Sequence, residues 1–403
     1  MKKIFKFAML FMAVTTLSLG MVACGDDDDN PAETPTPTPT PSPSTKTPTE
    51  EEVRDSILRI VNLDFVEKTV IATYAKLAND CGQLQQMVSD MKTQDDLLKV
   101  CEQWKVARQD WELSESFLFG AASGYGIDPH IDTWPFAEAS FNNAMSKFSP
   151  ATSEADAAYI DEQIATSQNF TGFHALEYVI FREGKPRNLS DLTPDELYFA
   201  NGVAADLYLS ACRLEVAWAS VDAPKAHRDL VEEAELTPDD EFGREFIIAS
   251  EKGSRWKSVL EASIQIIDGC IDIIGEVADS KIASAYTGDD DNYIESPHAY
   301  NSVTDFYDNI RGCKQSLYGG LSTINATTPA KNSLMDYCLQ KYPNEANDVV
   351  KSLENALTTI DKMKRPFVLN YTDPTAGAAI EALHDLDDKL SALKLKLDPT
   401  AAE

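Results

Sequence analysis

One histidine and one glutamate stand three residues apart in the segment TGFHALEYVIF, residues 171–181. If the segment is helical, His174 and Glu177 project from the same face. A neutral imidazole beside a carboxylate suits a divalent or trivalent metal ion. The same spacing also arises when the two side chains form a structural hydrogen bond. The pattern therefore predicts either a metal site or a buried hydrogen-bonded pair.

A second group of interest is a stripe of bulky and charged residues upstream. Trp104, Arg108, Trp111 and Glu115 follow one another at steps of four, three and four, so they share one side of a helix. The two tryptophans make this side the inward one. Arg108 and Glu115 are then about 10.5 Å apart along the helix axis, too far to satisfy each other, and buried charges need partners. Either each pairs with another helix, or Glu115 faces a polar site.

A glycine-rich loop follows this stripe, with the sequence GAASGYGIDPHIDTWP at residues 120–135. Glycines allow backbone conformations that other residues rarely adopt, and functional residues concentrate on such loops. Asp128 and Asp132 lie near Trp134 and are either site residues or plain turn formers. We expect the loop to close over the histidine and glutamate, with Gly172 allowing a close approach because it has no Cβ.

The common zinc-peptidase motifs are absent from the sequence. No HExxH occurs, and the inverted HxxEH form fails because Tyr178 follows Glu177. A zinc site would need a third ligand from elsewhere, and His298 is the candidate. His227 and His384 lie among charged residues and are interpreted as solvated.

The elements that must position these residues are helices. Capping boxes at Thr49 to Glu52 and at Thr193 to Glu196 mark helix starts, while strand signals are nearly absent. The last helix carries one seam of leucines at steps of three and four, as helix bundles require. The seam consists of Leu383, Leu386, Leu390, Leu393 and Leu397. The predicted helices are residues 50–80, 94–120, 153–167, 171–182, 194–221, 241–251, 255–288, 302–318, 330–341, 343–364 and 374–396.

These helices divide into two sets at a break near residues 222–240. We therefore predict an all-α fold with two helical bundle domains, residues 50–228 and 229–403. A short echo between residues 117–120 (FLFG) and residues 316–319 (SLYG) favours an internal duplication.

The N-terminus carries the features of an export signal. Three lysines precede an apolar run that is short for a membrane span of about 20 residues, so residues 1–23 are interpreted as a cleaved signal peptide. The run ends in LGMVAC, which resembles the lipobox of bacterial lipoproteins and makes Cys24 the lipidated first residue. The alternative is a secreted protein without lipid.

The residues after this cysteine extend the prediction. The acidic run at residues 26–29 resembles the surface-export signals of Bacteroidetes lipoproteins. Residues 24–49 are acidic and then rich in proline and threonine, and such repeats form an extended tether. We expect an outer-membrane lipoprotein that is exposed at the cell surface.

The overall charge restricts the class of partner. The chain has 66 acidic and 35 basic residues and a formal charge of −31. Nucleic-acid binding needs clustered lysine and arginine, so this class of partner is excluded. Electrostatic docking on anionic lipid is disfavoured for the same reason.

The cysteines beyond Cys24 are widely spaced and form no CxxC pair. This spacing supports neither a redox motif nor a cysteine-type zinc site. We expect mostly small buried residues, with room for one or two disulfides in an exported chain. The six residues are Cys81, Cys101, Cys212, Cys270, Cys313 and Cys338.

Three motifs in order along the chain resemble those of the imelysin-like family. The first is the upstream stripe with the loop that follows it, the second is the GxHxxE motif in GFHALE, and the third lies at residues 296–309. The similarity spans about residues 50–395. The residues that carry over are Arg108, Glu115, Asp132, Trp134, Gly172, His174 and Glu177; His298 is inferred from the residues alone.

The resemblance implies two four-helix-bundle-like domains with the motif near their interface, in an exported protein associated with iron uptake. We therefore expect binding of iron or an iron-bearing ligand, oriented by Arg108, together with an outer-membrane uptake partner. The expected metal ligands are His174, Glu177, Glu115 and Asp132. The family is classed with metallopeptidases, so the alternative is a peptidase whose histidine and glutamate pair holds zinc. A purely structural or adhesive surface protein is the third interpretation.

Overall fold

Helices make up most of the described chain and strands are nearly absent from it, which confirms the all-α prediction. The structure is a computed structural model that describes residues 47–402, so the predicted signal peptide, Cys24 and most of the tether lie outside the described residues. The helices are α1 (Glu50–Phe65), α2 (Ile71–Asp90), α3 (Gln94–Glu112), α4 (Ala121–Gly124), α5 (Asp128–Ile131), α6 (Glu138–Met145), α7 (Glu154–Thr166), α8 (Gly172–Ile180), α9 (Pro194–Ala219), α10 (Lys225–Glu233), α11 (Phe242–Ile247), α12 (Val259–Glu276), α13 (Ala283–Thr287), α14 (Ser302–Tyr318), α15 (Leu334–Lys341), α16 (Pro343–Asp361), α17 (Phe367–Asn370) and α18 (Pro374–Leu397). Two short strands, β1 (Phe181–Arg182) and β2 (Lys185–Pro186), form an antiparallel pair.

The predicted helix starts are confirmed where the capping chemistry is strongest. The side chain of Thr49 accepts the N–H of Glu52, whose carboxylate accepts the N–H of Thr49 in return. Thr193 and Glu196 form the same reciprocal pair at the start of α9. These bonds satisfy amide groups that the first turn of a helix leaves without partners.

Two long helices are each interrupted by a π-helical turn. The turn Val66–Val70 joins α1 to α2, and the turn Val277–Ile282 joins α12 to α13. Such turns are rare and occur frequently at functional sites. The second of them carries Lys281, a lysine with no exposed surface.

The two halves of the chain meet through small residues. The Oγ atoms of Ser116 and Ser316 lie 2.9 Å apart; Ser116 precedes one of the two segments whose similarity favours a duplication, and Ser316 begins the other. A Cβ on Gly269 of α12 would lie only 2.2 Å from the carbonyl oxygen of Ser116, so the close approach depends on glycine. Farther along, the leucine seam of α18 is buried, and this helix packs on α12 and α16.

The prediction that residues 222–240 form a break without a helix is wrong. Helix α10 lies within this range and packs on α9, with Val231 fully buried. His227, interpreted as solvated, is buried on the same helix, and its Nδ1 lies 2.5 Å from Oε2 of Glu215. The apolar face of α10 outweighs the acidic composition of the segment. His384 is exposed, as expected, and contacts Asp279.

From Pro48 onward the chain forms one compact unit, and the boundary between residues 228 and 229 stays a prediction. The six described cysteines are buried and free, so the expectation of small buried residues is confirmed and the described residues contain no disulfide. None of the described helices combines the length and the apolar character needed to cross a membrane.

Candidate metal centre

The predicted pair on α8 is in direct contact. Nδ1 of His174 lies 3.0 Å from Oε2 of Glu177, and both side chains are buried. The other carboxylate oxygen, Oε1, accepts the backbone N–H groups of His298 at 2.8 Å and of Ala299 at 2.7 Å. Both oxygens of Glu177 are therefore engaged, and the carboxylate fixes the orientation of the histidine ring.

The first residue of α8 rests on the preceding loop. Gly172 has a φ of +86°, and a Cβ at this position would lie 2.3 Å from the carbonyl oxygen of Ile131. Only glycine fits both this conformation and this space. The close approach expected from the sequence is present, and it brings Asp132 to the histidine.

Asp132 connects the loop, α3 and α8. Its Oδ1 lies 3.2 Å from Nε2 of His174, in an alignment that leaves Nε2 without a hydrogen-bond partner. Oδ1 also accepts from Nη1 of Arg108, and Oδ2 accepts the indole N–H of Trp111 at 2.7 Å. All members of the stripe are buried, as predicted, and Arg108 and Trp111 hold this aspartate in place. The prediction that Glu115 shares their helix is wrong, because α3 ends at Glu112 and Glu115 begins a 3₁₀ turn.

The second half of the chain adds Glu295 and Lys281, which are not among the predicted site residues. Nη2 of Arg108 donates to Oε1 of Glu295 at 2.7 Å. Nζ of Lys281 donates to the same oxygen at 3.0 Å and to Oε2 of Glu115 at 2.9 Å. Arg108 and Glu115 thus have separate partners, as their distance along the stripe predicted.

Three more polar residues surround these ion pairs. Glu112 is in contact with Arg108 one helical turn earlier. Asn309 on α14 donates to Oε2 of Glu112 at 2.6 Å and to Oε2 of Glu115 at 2.8 Å. Asp305, also on α14, lies 3.9 Å from Nε of Arg108. The name buried cluster is used below for His174, Glu177 and the charged and polar residues connected by these contacts. They are Arg108, Glu112, Glu115, Asp132, Lys281, Glu295, Asp305 and Asn309.

The buried cluster contains more negative than positive charge. Its permanent cations are Arg108 and Lys281, whereas its carboxylates are Glu112, Glu115, Asp132, Glu177, Glu295 and Asp305. Burial raises the pKa of Glu112, and burial together with Glu112 raises that of Glu115. Burial alone would raise the pKa of Asp132, but Arg108 and His174 lower it well below its ordinary value. Protons or a further cation must therefore balance the surplus charge.

Two sets of ligand atoms in the buried cluster are compact enough for a metal ion. Atoms of Asp132, His174 and Glu295 lie within 4.8 Å of one another. Nε2 of His174 and Oε2 of Glu295 are buried without hydrogen-bond partners, a condition that is rare in folded proteins. A cation would satisfy both atoms, so the residues present fit a metal. The second set consists of Glu112, Glu115, Asp132 and Glu295.

Two predicted site residues place their rings outside both sets. The ring of His298 lies 3.2 Å from Glu138 and edge-on to Tyr178, beside an open cavity of about 680 Å³. Only its backbone N–H reaches the glutamate of α8. The ring of Trp134 packs on Tyr293 with centroids 4.1 Å apart. Both residues border the buried cluster and supply no side-chain atom to these sets.

Glu112, Glu295 and Lys281 are not among the predicted site residues, and the sequence signals that could have identified them differ in strength. Glu112 follows Arg108 by four residues, which is the spacing of a helical ion pair. Glu295 directly precedes the segment 296–309 that carries one of the three family motifs. Lys281 gives no such signal, because a π-helical turn breaks the periodicity that would place it on an inward face.

Comparison with known proteins gives matches over most of the chain. The family described as Imelysin matches residues 70–394. Iron-regulated protein A of Synechococcus elongatus is 26% identical over 331 residues, which cover 80% of this chain and 82% of that protein. A proposed iron-regulated protein A precursor of Parabacteroides distasonis has a crystal structure that matches with a TM-score of 0.71 at 23% identity, over 89% of this chain and 98% of that one. An imelysin-like protein of Psychrobacter arcticum matches with a TM-score of 0.51 at 13% identity, over 88% and 95% of the two chains. The two structures establish a shared fold.

The surroundings of His174 predict how the stability of the metal-free protein depends on pH. Burial and Arg108 lower the pKa of His174, but Asp132 and Glu177 outweigh them and raise it to about 9. A raised histidine pKa stabilises the fold fully below the unfolded value of about 6.5, and this contribution is lost as the pH rises to about 9. The free energy of unfolding should fall by up to about 3 kcal/mol more in wild type than in His174→Gln over this window. Urea unfolding in chelator at both pH values measures the difference, and parallel curves would contradict the prediction.

Proposed function

The chain belongs to the imelysin family, and on that premise we propose that it binds iron, as an ion or within an iron-bearing ligand, at the buried cluster and serves iron uptake. The observation that carries the proposal is the pair of unpartnered buried atoms, Nε2 of His174 and Oε2 of Glu295, beside Asp132. Two of the matched proteins are named for regulation by iron. Those names favour iron among the metals that such a site accepts.

The donor set of the buried cluster restricts the class of metal. One imidazole and several carboxylates, with no thiolate, suit iron, manganese or zinc better than copper(I). The surplus negative charge favours a cation of charge two or three over a neutral ligand. Arg108 and Trp111 orient Asp132 through both of its oxygens, so this ligand is positioned before a cation arrives.

Glu177 is assigned an orienting role in place of the ligand role expected from the sequence. Its two oxygens are occupied by Nδ1 of His174 and by two backbone N–H groups. If Nδ1 carries the proton, Nε2 is left with its lone pair facing Asp132 and Glu295. A carboxylate behind a histidine ligand commonly fixes the tautomer in this way.

The metallopeptidase alternative has less support from the geometry. A hydrolytic zinc needs three protein ligands and an open position for water, and the peptide must reach that water. Asp132, His174 and Glu295 are at most 8% exposed, so a peptide chain does not reach them. Binding of a small cation requires no such cleft.

Metal binding by the purified protein tests the proposal. Wild type is expected to bind one Fe²⁺ per chain under anaerobic conditions, and His174→Ala to lose at least tenfold in affinity because a ligand is missing. His227→Ala is the matched control, because this histidine is also buried against a glutamate but lies outside the buried cluster. Titration calorimetry with Fe²⁺, Mn²⁺ and Zn²⁺ separates the metals. Equal affinities for wild type and His174→Ala, or chelator-sensitive peptide cleavage with preference for zinc, would contradict iron binding.

Glu177→Gln tests the orienting role separately. The amide oxygen of glutamine can still accept the N–H groups of His298 and Ala299, so the fold should persist. The amide NH₂ would then face Nδ1 of His174 and move the ring proton to Nε2, which removes the ligand lone pair. Affinity for Fe²⁺ should fall about 10- to 100-fold, with an unchanged circular dichroism spectrum. An unchanged affinity would show that the tautomer is not fixed by this residue.

We also propose that the protein is an outer-membrane lipoprotein, anchored at Cys24 and facing the cell surface, where an uptake partner would act. Support comes from the lipobox-like LGMVAC and the acidic run at residues 26–29. Cys24→Ala should move the protein from the outer-membrane fraction to the soluble fraction or leave it unprocessed. If the variant stays in the outer-membrane fraction at the wild-type level, lipidation is not the anchor.

A further inference from the structure

We propose that the ammonium group of Lys281 occupies a second cation position in the buried cluster, so that the cluster is a two-cation centre with one cation supplied by the chain itself. The proposal deepens the proposed function and rests on it for the identity of the other cation, the metal held by His174. It assigns Lys281 the role of limiting the protein to one bound metal ion.

The contacts of Lys281 resemble the oxygen shell of a bound cation. Nζ lies 2.9 Å from Oε2 of Glu115, 3.0 Å from Oε1 of Glu295, and 3.7 Å from Oε2 of Glu112. A fourth oxygen, Oδ1 of Asn309, lies 3.4 Å away. The side chain has no exposed surface, so these contacts substitute for water around the charge.

The oxygen shell around Lys281 overlaps a set of ligand atoms with the spacing of a metal site. Glu112, Glu115, Asp132 and Glu295 present oxygens within 4.8 Å of one another, and three of these four residues contact the ammonium group. Lysine therefore stands where a metal would otherwise be held by these carboxylates.

The two cation positions share ligands, as the positions of a two-metal centre do. Asp132 and Glu295 belong to both sets of ligand atoms. Oε1 of Glu295 accepts from Lys281, whereas Oε2 is buried without a partner. The free oxygen is thus available to a cation beside His174 while the other faces the ammonium group.

Glu115, the carboxylate partner of Lys281, borders a cavity with exposed residues on its rim. Glu115 lines a cavity of about 230 Å³ together with Asp272 and Glu276, which are one helical turn apart on α12 and exposed. Oε2 of Glu115 bonds to Lys281 and Asn309, while its Oε1 forms no hydrogen bond with any described residue. An external cation can therefore reach this carboxylate, and the ammonium group is what keeps the position filled.

Removal of the lysine charge tests the proposal. Wild type should bind one Mn²⁺ per chain and Lys281→Met two, because methionine replaces the apolar part of the side chain as far as Cε and lacks the ammonium group. Lys314→Met is the matched control, since Lys314 is also buried, on α14, but pairs with Glu354 outside the buried cluster. This control should keep one ion. The double variant with Lys281→Met and Glu115→Gln should also return to one, because it removes a ligand of the second position.

The counts separate the two proposals. If wild type and Lys281→Met each bind one ion, the second position is overturned while metal binding by the buried cluster stands. If wild type binds none and Lys281→Met binds one, the inference on Lys281 holds and the proposed function fails. If neither binds any, both fail.

A measurement without transition metals covers the case of a variant that folds poorly. Loss of the lysine leaves buried carboxylates unpaired, so Lys281→Ala should have a lower melting temperature than wild type. Methylammonium chloride should raise that temperature in the variant, relative to equal sodium chloride, and leave wild type unchanged. The proposal is overturned if neither methylammonium nor Mn²⁺ raises the melting temperature of Lys281→Ala by more than it raises that of wild type.

Discussion

The guanidinium group of Arg108 is the charge around which the centre of this protein is arranged. It has no exposed surface, and an unpaired charge in such a place would cost far more than a fold can supply. Its partners come from three separate parts of the chain: Glu112 on its own helix, Asp132 on the loop, and Glu295 in the second half. The paths of the loop and of the segment near residue 295 follow from the need to deliver these carboxylates to one cation.

The carboxylates that pair with Arg108 outnumber its single positive charge and therefore leave a surplus of negative charge. Lys281 balances part of the surplus, and the raised pKa values of Glu112 and Glu115 show that burial opposes further negative charge. Two ligand atoms of the buried cluster, Nε2 of His174 and Oε2 of Glu295, lack hydrogen-bond partners. If the proposed metal binds at the buried cluster, its uptake would be coupled to release of protons, since a metal competes with protons for the same donors.

The sequence predicts the parts of this arrangement that depend on local periodicity. The stripe on α3 and the pair of His174 and Glu177 are visible because helical spacing of three and four residues places side chains on one face. Gly172 is predictable because glycine has no Cβ and therefore allows a close approach. The carbonyl group of Ile131 lies where a Cβ would be. The capping boxes and the leucine seam belong to the same class of local signal.

The parts that could not be predicted depend on contacts between distant segments. Lys281 and Glu115 are 166 residues apart, and no spacing rule relates them. The π-helical turn that holds Lys281 also removes the regular period from which burial is inferred. The prediction that His227 is solvated is wrong for a similar reason. Its charged neighbours in sequence face solvent, while its own ring contacts Glu215 of α9. Composition near a residue in sequence says little about the residue's partners in space.

The burial of the cluster favours the proposed binding over catalysis more strongly than its donor set does. Imidazole and carboxylates could serve a hydrolytic zinc or a bound iron equally well. A closed cluster, however, admits a cation and excludes a peptide, and its ligands are contributed by both halves of the chain. A cation held there would be attached to the loop through Asp132, to α8 through His174 and to the second half through Glu295. Release of such a cation would then require at least one of these segments to move.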